Sequence, residues 1–119
     1  MSGGRLLLID DEPDIRAIAT MALERVGGWD VTATGSAEEA EAALETLAPD
    51  VVLLDVMMPG VDGPATFARL RGRLEGVPVI FLTAKGDPEP LLALGAAGVI
   101  AKPFDPMGLS GEVAAITGR

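Results

Sequence analysis

The sequence contains no cysteine and no histidine, and aromatic side chains make up only 3% of its 119 residues. Such a chain cannot form disulfides, thiolate or imidazole metal sites, a Ser-His-Asp triad or a phosphohistidine. Any catalysis or metal binding must therefore depend on oxygen ligands and on Lys or Arg side chains. Because aromatic residues are scarce, Leu, Val, Ile and Ala must build the core, and these side chains suit close packing of helices on a sheet.

Basic residues and long apolar runs are scarce as well. There are 9 Lys and Arg residues against 18 Asp and Glu residues, for a net charge of -9, which argues against direct binding of nucleic acid. No stretch approaches the ~18 apolar residues of a membrane span, and the opening "MSGGR" lacks the apolar core of a signal peptide. We therefore expect no membrane contact and a cytoplasmic location. The length predicts one domain over residues 1–119 and no second domain.

What the sequence does contain is an alternation of apolar runs with helix-like segments, repeated five times. The runs "RLLLID", "DVTAT", "VVLLD", "PVIFLT" and "GVIAK" predict strands. The uninterrupted "LLLI", "VVLL" and "VIFL" are typical of parallel strands that are covered by helices on both faces. The pattern predicts an α/β fold, a three-layer sandwich with an open parallel sheet and five helices.

The helical segments place apolar residues at the spacing of one helix face. The first helix starts at Pro13, and a capping box of Ser36 and Glu39 starts the second. The third is predicted from Pro64 to about Leu74. The residues expected to face the core from the first, second and last helices are Ile15, Ile18, Ala19, Ala22, Leu23, Val26, Ala40, Ala43, Leu44, Leu47, Leu109, Val113 and Ile116.

Charged and hydroxyl side chains stand where the predicted strands end. Asp10 and Asp11 follow the first strand, Asp55 ends the third, Thr83 ends the fourth and Lys102 ends the fifth. Because the carboxyl ends of parallel strands meet at one edge of an open sheet, these groups are expected to lie together. Taken singly, the acids could complement a helix dipole, Thr83 could cap a turn and Lys102 could be a solvated surface residue.

Clustered carboxylates repel one another, by about 1 kcal/mol at ~4 Å in water and about 4 kcal/mol at an effective dielectric constant near 20. A divalent cation would remove that cost. Carboxylates with retained water describe a magnesium site better than a calcium cage, and manganese could substitute. With a metal in place, one carboxylate could act as a nucleophile toward phosphorus.

The motifs "LLLIDDEPD", "VVLLDVMMPGVDG", "VIFLTAK" and "AKPF" occur in this order, and with them essentially the whole chain resembles the receiver domain of two-component response regulators. The resemblance implies a flavodoxin-like sheet in strand order 2-1-3-4-5. It also implies a histidine kinase or histidine phosphotransfer protein as phosphoryl donor and an unknown downstream protein as target. The chain would be a monomer or a weak dimer.

The same resemblance assigns a role to individual residues. Asp55 would be the phosphoacceptor, Asp11 and Asp55 would bind magnesium directly, and Asp10 would act through a metal-bound water. The Met57 backbone carbonyl would be a further metal ligand. Thr83, Ala84 and Lys102 would be phosphoryl-binding or switch residues, and the peptide bond before Pro103 would be cis.

Two features depart from the family pattern. Val99 occupies a position that usually holds Tyr or Phe, and Pro88 and Pro90 predict a short or irregular fourth helix. They motivate an alternative, a receiver-like interaction domain with degenerate switching. A third hypothesis, a phosphatase of the haloacid dehalogenase type, lacks its second acid because that position is Met57. The single Trp29, after two glycines, is interpreted as a surface anchor.

Overall fold

The computed structural model describes residues 4–84 and 86–118, which form a five-stranded parallel sheet with helices on both faces. The strands lie in the order β2-β1-β3-β4-β5. The predicted α/β sandwich and its strand order are confirmed. The strands are β1 (Gly4–Ile9), β2 (Trp29–Thr34), β3 (Val51–Asp55), β4 (Val79–Thr83) and β5 (Gly98–Ala101).

Five α-helices connect and follow these strands. Within residues 4–84 and 86–118, no helix is both long and apolar enough to cross a membrane. The predicted short fourth helix is confirmed, since it has only five residues. The helices are α1 (Pro13–Gly27), α2 (Ala37–Ala43), α3 (Gly63–Leu70), α4 (Glu89–Ala93) and α5 (Leu109–Thr117), and a short 3-10 helix, Arg71–Arg73, follows α3.

Two separate cores cover the two faces of the sheet. Leu6 and Leu8 of β1 pack with residues of α1 and α5, whereas Leu7 and Ile9 pack with residues of α2 and α3. Successive side chains of a strand point to opposite faces. A strand buried on both faces must therefore be apolar at every position, which explains the uninterrupted runs in the sequence.

Two expectations about the α1 and β2 region are wrong. Ile18 and Val26 are 45% and 47% exposed, because only one side of α1 packs against the sheet and α5. Trp29 is only 4% exposed and belongs to the core beside α1 and α5, so it is not a surface anchor. Gly27 leaves room for it, since a Cβ atom there would come within 2.7 Å of the indole ring.

The starts and ends of α2 and α3 also differ in detail from the prediction. The Glu39 backbone N–H donates to Ser36 Oγ as predicted, but the Glu39 carboxylate accepts from the Gly35 N–H, one residue earlier than in a regular capping box. α3 ends at Leu70, and the chain tightens into the 3-10 turn before Leu74. Such tightening is common at helix ends, and Leu74 is still buried, at 5% exposure.

Candidate functional site

The carboxyl ends of β1 and β3 bring three acidic side chains together. Ile9 of β1 is in register with Leu54 of β3, so the residues that follow, Asp10 and Asp55, lie side by side. Asp10 is 0% and Asp55 2% exposed. Carboxylate oxygens of Asp10, Asp11 and Asp55 all lie within 4.8 Å of one another.

The ammonium group of Lys102 faces this acidic cluster. Lys102 Nζ lies 3.2 Å from Asp10 Oδ2, 3.3 Å from Asp55 Oδ1 and 3.3 Å from Glu12 Oε1. The Lys102 backbone N–H donates to the Thr83 carbonyl over 2.7 Å, which ties the end of β5 to the end of β4. The peptide bond between Lys102 and Pro103 is cis.

The buried Asp55 carboxylate and the half-buried Lys102 ammonium shift each other's pKa. Burial and the neighbouring Asp10 carboxylate raise the pKa of Asp55 to about 6, against the lowering effect of Lys102 and of the Met57 backbone N–H. Burial lowers the pKa of Lys102, but the Asp10 and Asp55 carboxylates raise it by more, so the net shift is upward. At neutral pH the site therefore holds a charged Lys102 beside a carboxylate whose ionised form is costly to keep buried.

The acidic cluster has the donor set and the spacing that a hard cation needs. Asp55 Oδ2 is buried and has no hydrogen-bond partner within the described part of the chain. A buried, unpartnered carboxylate oxygen is costly unless a cation or water satisfies it. Three carboxylates within reach of one ion fit Mg²⁺, which prefers oxygen ligands.

Loop contacts hold the two buried acids in place. Asp10 Oδ1 accepts the Glu12 backbone N–H over 2.9 Å, and Arg16 Nη1 donates to the Asp10 carbonyl over 2.7 Å. After β3, the Gly63 N–H donates to the Val56 carbonyl over 2.8 Å. A Cβ atom at Gly63 would collide with the Asp55 carbonyl oxygen. The close return of the chain at this point therefore requires glycine.

A cleft of about 320 Å³ borders Asp55. Met57 contributes to its wall with a side chain that is 74% exposed. Thr83 is half-buried one residue after Leu82, the β4 partner of Asp55. Val99 is half-buried on β5, paired with Phe81. The lining residues of the cleft are Glu12, Ile15, Asp55, Met57, Ala84, Lys102 and Pro103.

Three residues that contribute to this geometry were not singled out for a role from the sequence. Glu12 contacts Lys102, Arg16 binds the Asp10 carbonyl, and Gly63 permits the tight return behind Asp55. Glu12 stands next to the acidic pair in the sequence, which was the available signal. The role of Arg16 depends on a contact to a backbone carbonyl, which leaves no pattern in the sequence, whereas the turn residues of "MMPGVDG", Gly63 among them, already indicate a tight loop.

Comparison with known proteins identifies the family. Residues 6–114 match the model of the response regulator receiver domain. The chain belongs to this family. This assignment decides against a phosphatase of the haloacid dehalogenase type.

Individual relatives agree with the assignment. The DNA-binding response regulator MtrA of Mycolicibacterium smegmatis is 39% identical over 93% of this chain and 49% of its own length. The alkaline phosphatase synthesis transcriptional regulatory protein PhoP of Bacillus subtilis is 38% identical over 97% of this chain and 49% of its own length. The chemotaxis response regulator CheY4 of Vibrio cholerae superposes with a TM-score of 0.85, at 28% identity, covering 95% of this chain and 98% of that one.

The protein is thus a receiver domain of two-component response regulators, and the predicted family and function class are confirmed. It spans about half the length of the curated relatives that it matches. Receiver domains interact with histidine kinases and generally bind Mg²⁺ at an acidic cluster, and this receiver domain groups Asp10, Asp11 and Asp55 into one.

Proposed function

We propose that Asp55 accepts a phosphoryl group in a magnesium-dependent reaction and that the modified domain signals through protein contacts. The observation that carries the proposal is the surroundings of Asp55. Its carboxylate is buried beside Asp10, is paired with Lys102, and has one oxygen without a partner among the described residues. It also borders a cleft through which a donor can approach.

In the proposed step, an Asp55 carboxylate oxygen attacks the phosphorus of the donor. A P–O bond to Asp55 forms and the P–N bond breaks in a phosphohistidine whose other ring nitrogen is protonated, so that the imidazole leaves with the electron pair as a neutral group. Lys102, already 3.3 Å from Asp55 Oδ1, would pair with a phosphoryl oxygen. The Thr83 hydroxyl and the Ala84 backbone N–H would bind the other phosphoryl oxygens. Water attack on phosphorus would later restore the carboxylate.

Asp11, Asp55 and the Met57 backbone carbonyl would hold the metal directly, with Asp10 acting through a water. A bound Mg²⁺ or Mn²⁺ supplies charge neutralisation for the carboxylates and for the phosphoryl oxygens. The residues themselves contribute positioning, which phosphoryl transfer mainly requires. Asp10 Oδ1 accepts the Glu12 N–H and Asp55 Oδ1 pairs with Lys102, so contacts orient both carboxylates before a donor arrives.

For the wider setting we propose a histidine kinase or histidine phosphotransfer protein as donor and a protein as downstream target. The domain would be a monomer or a weak dimer that does not bind nucleic acid itself, in keeping with its net charge of -9. We also propose a cytoplasmic location, because matched relatives are named as DNA-binding or transcriptional regulators.

The test is to incubate the protein with acetyl phosphate and to measure intact masses, with Mg²⁺ or with a chelator. We expect one added phosphoryl group in the wild type with metal, and none in Asp55→Asn or with the chelator. Asp30→Asn is the matched control, because Asp30 is exposed on β2 and its substitution changes the net charge equally. Borohydride reduction followed by peptide mapping would place the acyl phosphate at position 55.

A second candidate function is a protein-interaction domain that has lost phosphate-dependent switching. The five-residue α4 and Val99 at the usual aromatic position favour it, because both lie in the region that receiver domains commonly use for output. Phosphorylation of Asp55 without any change in α4 or β5 would support this candidate. Amide hydrogen exchange of these two elements before and after phosphorylation makes the distinction.

A further inference from the structure

We propose that Glu12 sets the donor preference of the site: its carboxylate, displaced from Lys102 when a phosphoryl oxygen binds there, leaves a negative charge at the cleft that hinders dianionic acyl phosphates more than donors with a cationic nitrogen leaving group. The inference rests on the proposed function of Asp55. It concerns a residue that the phosphoryl-transfer mechanism above does not use for chemistry. It follows from the contacts of Lys102 and from the charge that Glu12 places at the cleft.

Lys102 has no N–H to spare for a phosphoryl oxygen. An ammonium group has three donors, and Nζ has three carboxylate neighbours, Asp10 at 3.2 Å, Glu12 at 3.3 Å and Asp55 at 3.3 Å. A phosphoryl oxygen can pair with Lys102 only if one of these carboxylates gives way. Asp10 and Asp55 have side chains that are 0% and 3% exposed, whereas the Glu12 side chain is 58% exposed. Glu12 can move into water at the least cost and is therefore the group displaced.

The Glu12 side chain lies at the cleft through which a donor would approach, and it contributes little to the stability of the fold. It lines the cleft together with Asp55, Ala84 and Lys102. It occupies the N-cap position of α1, yet its side chain makes no capping hydrogen bond. Its contact with Lys102 is exposed, and exposed ion pairs contribute little to stability. Its negative charge therefore acts mainly on charged groups that enter the cleft.

That charge discriminates between donors by their own charge. In a water-like medium, the Glu12 charge lowers the encounter rate of an anionic donor about 6 Å away by roughly threefold for each unit of negative charge on the donor. Acetyl phosphate is a dianion near neutral pH. Phosphoramidate carries a protonated nitrogen and is a monoanion, and a phosphohistidine with a protonated imidazole is similar. Glu12 should therefore hinder acyl phosphates more than donors with a P–N bond.

The experiment measures second-order rate constants of phosphorylation by acetyl phosphate and by phosphoramidate, at saturating Mg²⁺, from intact masses. Wild type is compared with Glu12→Gln, with Glu12→Asp and with the matched control Asp14→Asn, which removes an exposed acid from the same helical turn outside the cleft. In Glu12→Gln we expect a gain of roughly tenfold with acetyl phosphate and roughly threefold with phosphoramidate. Glu12→Asp keeps the charge and should keep most of the wild-type preference.

Three outcomes would overturn the inference. If Glu12→Gln gains equally with both donors, or no more than Asp14→Asn, the charge of Glu12 does not select the donor, while the proposed function of Asp55 stands. If the selective gain is unchanged at ~1 M salt, where screening reaches ~3 Å, it is not electrostatic in origin. If neither donor modifies the wild type, the proposed function fails and this inference fails with it.

Discussion

Replacing Asp55 with asparagine should stabilise the folded protein in the absence of metal. Asp55 is 2% exposed, lies beside Asp10 and has an Oδ2 atom without a hydrogen-bond partner in the described residues. Asparagine has nearly the same shape but carries no charge. Its side-chain carbonyl can still accept from Lys102, so the substitution removes the repulsion and leaves that contact.

The size of the effect follows from the pKa of Asp55. Its ordinary value is 3.8, and burial together with Asp10 raises it to about 6 in the folded state. An acid with a raised folded-state pKa retains a proton that the unfolded chain has lost, so stability falls as pH rises from about 4 to 6. At ~1.4 kcal/mol per pKa unit, the wild type loses about 3 kcal/mol by pH ~7.5 and about half as much at pH ~5. Asp55→Asn should not lose this stability, because asparagine does not ionise.

Urea unfolding in a chelating buffer measures the difference. Trp29 is the only tryptophan and is 4% exposed, so its fluorescence should shift to longer wavelength as the protein unfolds. We expect Asp55→Asn to exceed the wild type by about 3 kcal/mol at pH ~7.5 and by about half as much at pH ~5. Added Mg²⁺ should narrow the gap, because it binds the native wild type more tightly than the variant.

The exposed-site variant Asp30→Asn controls for the change in net charge and should show no comparable gain. Equal stability of wild type and Asp55→Asn at pH ~7.5 without metal would refute the argument that the buried carboxylate is costly. A gain of the same size at pH ~5 and pH ~7.5 would also refute it, because the cost must disappear as Asp55 takes up its proton.

Two further substitutions test the contacts that hold the site. Lys102→Met removes the ammonium that contacts both Asp10 and Asp55, so without metal it should lower the free energy of unfolding by about 3–5 kcal/mol. In urea unfolding, added Mg²⁺ should restore part of this stability. No recovery with Mg²⁺ would contradict a metal site at these carboxylates. Gly63→Ala would press a methyl group against the Asp55 carbonyl and should cost about 1–3 kcal/mol, whereas Gly72→Ala, with no atom within 4 Å, should be neutral or mildly stabilising. Thermal unfolding of both glycine variants checks this contrast, and equal effects would show that the close approach at Gly63 imposes no constraint.

Local patterns in the sequence were sufficient for much of the fold. Uninterrupted runs such as "LLLI" and "VVLL" imply strands with two covered faces, and two cores meet β1 in the structure. Pro88 and Pro90 anticipate the five-residue α4. The position of Trp29 after the double glycine that ends the first helix predicts a surface anchor, but the residue is 4% exposed. In the structure Gly27 provides space for the indole ring, and no local pattern reveals which neighbour fills such a space.

For the site, the sequence alone determined which chemical groups are available: with no Cys and no His, only carboxylates, a hydroxyl and an ammonium could act, and their positions at strand ends predicted a shared edge. Only the tertiary structure decided which of these groups contact one another and how deeply each is buried. Lys102 contacts three carboxylates, of which only Glu12 is well exposed, and one Asp55 oxygen is left without a partner among the described residues. Burial and distance set these energies, and both arise only when residues far apart in the chain meet.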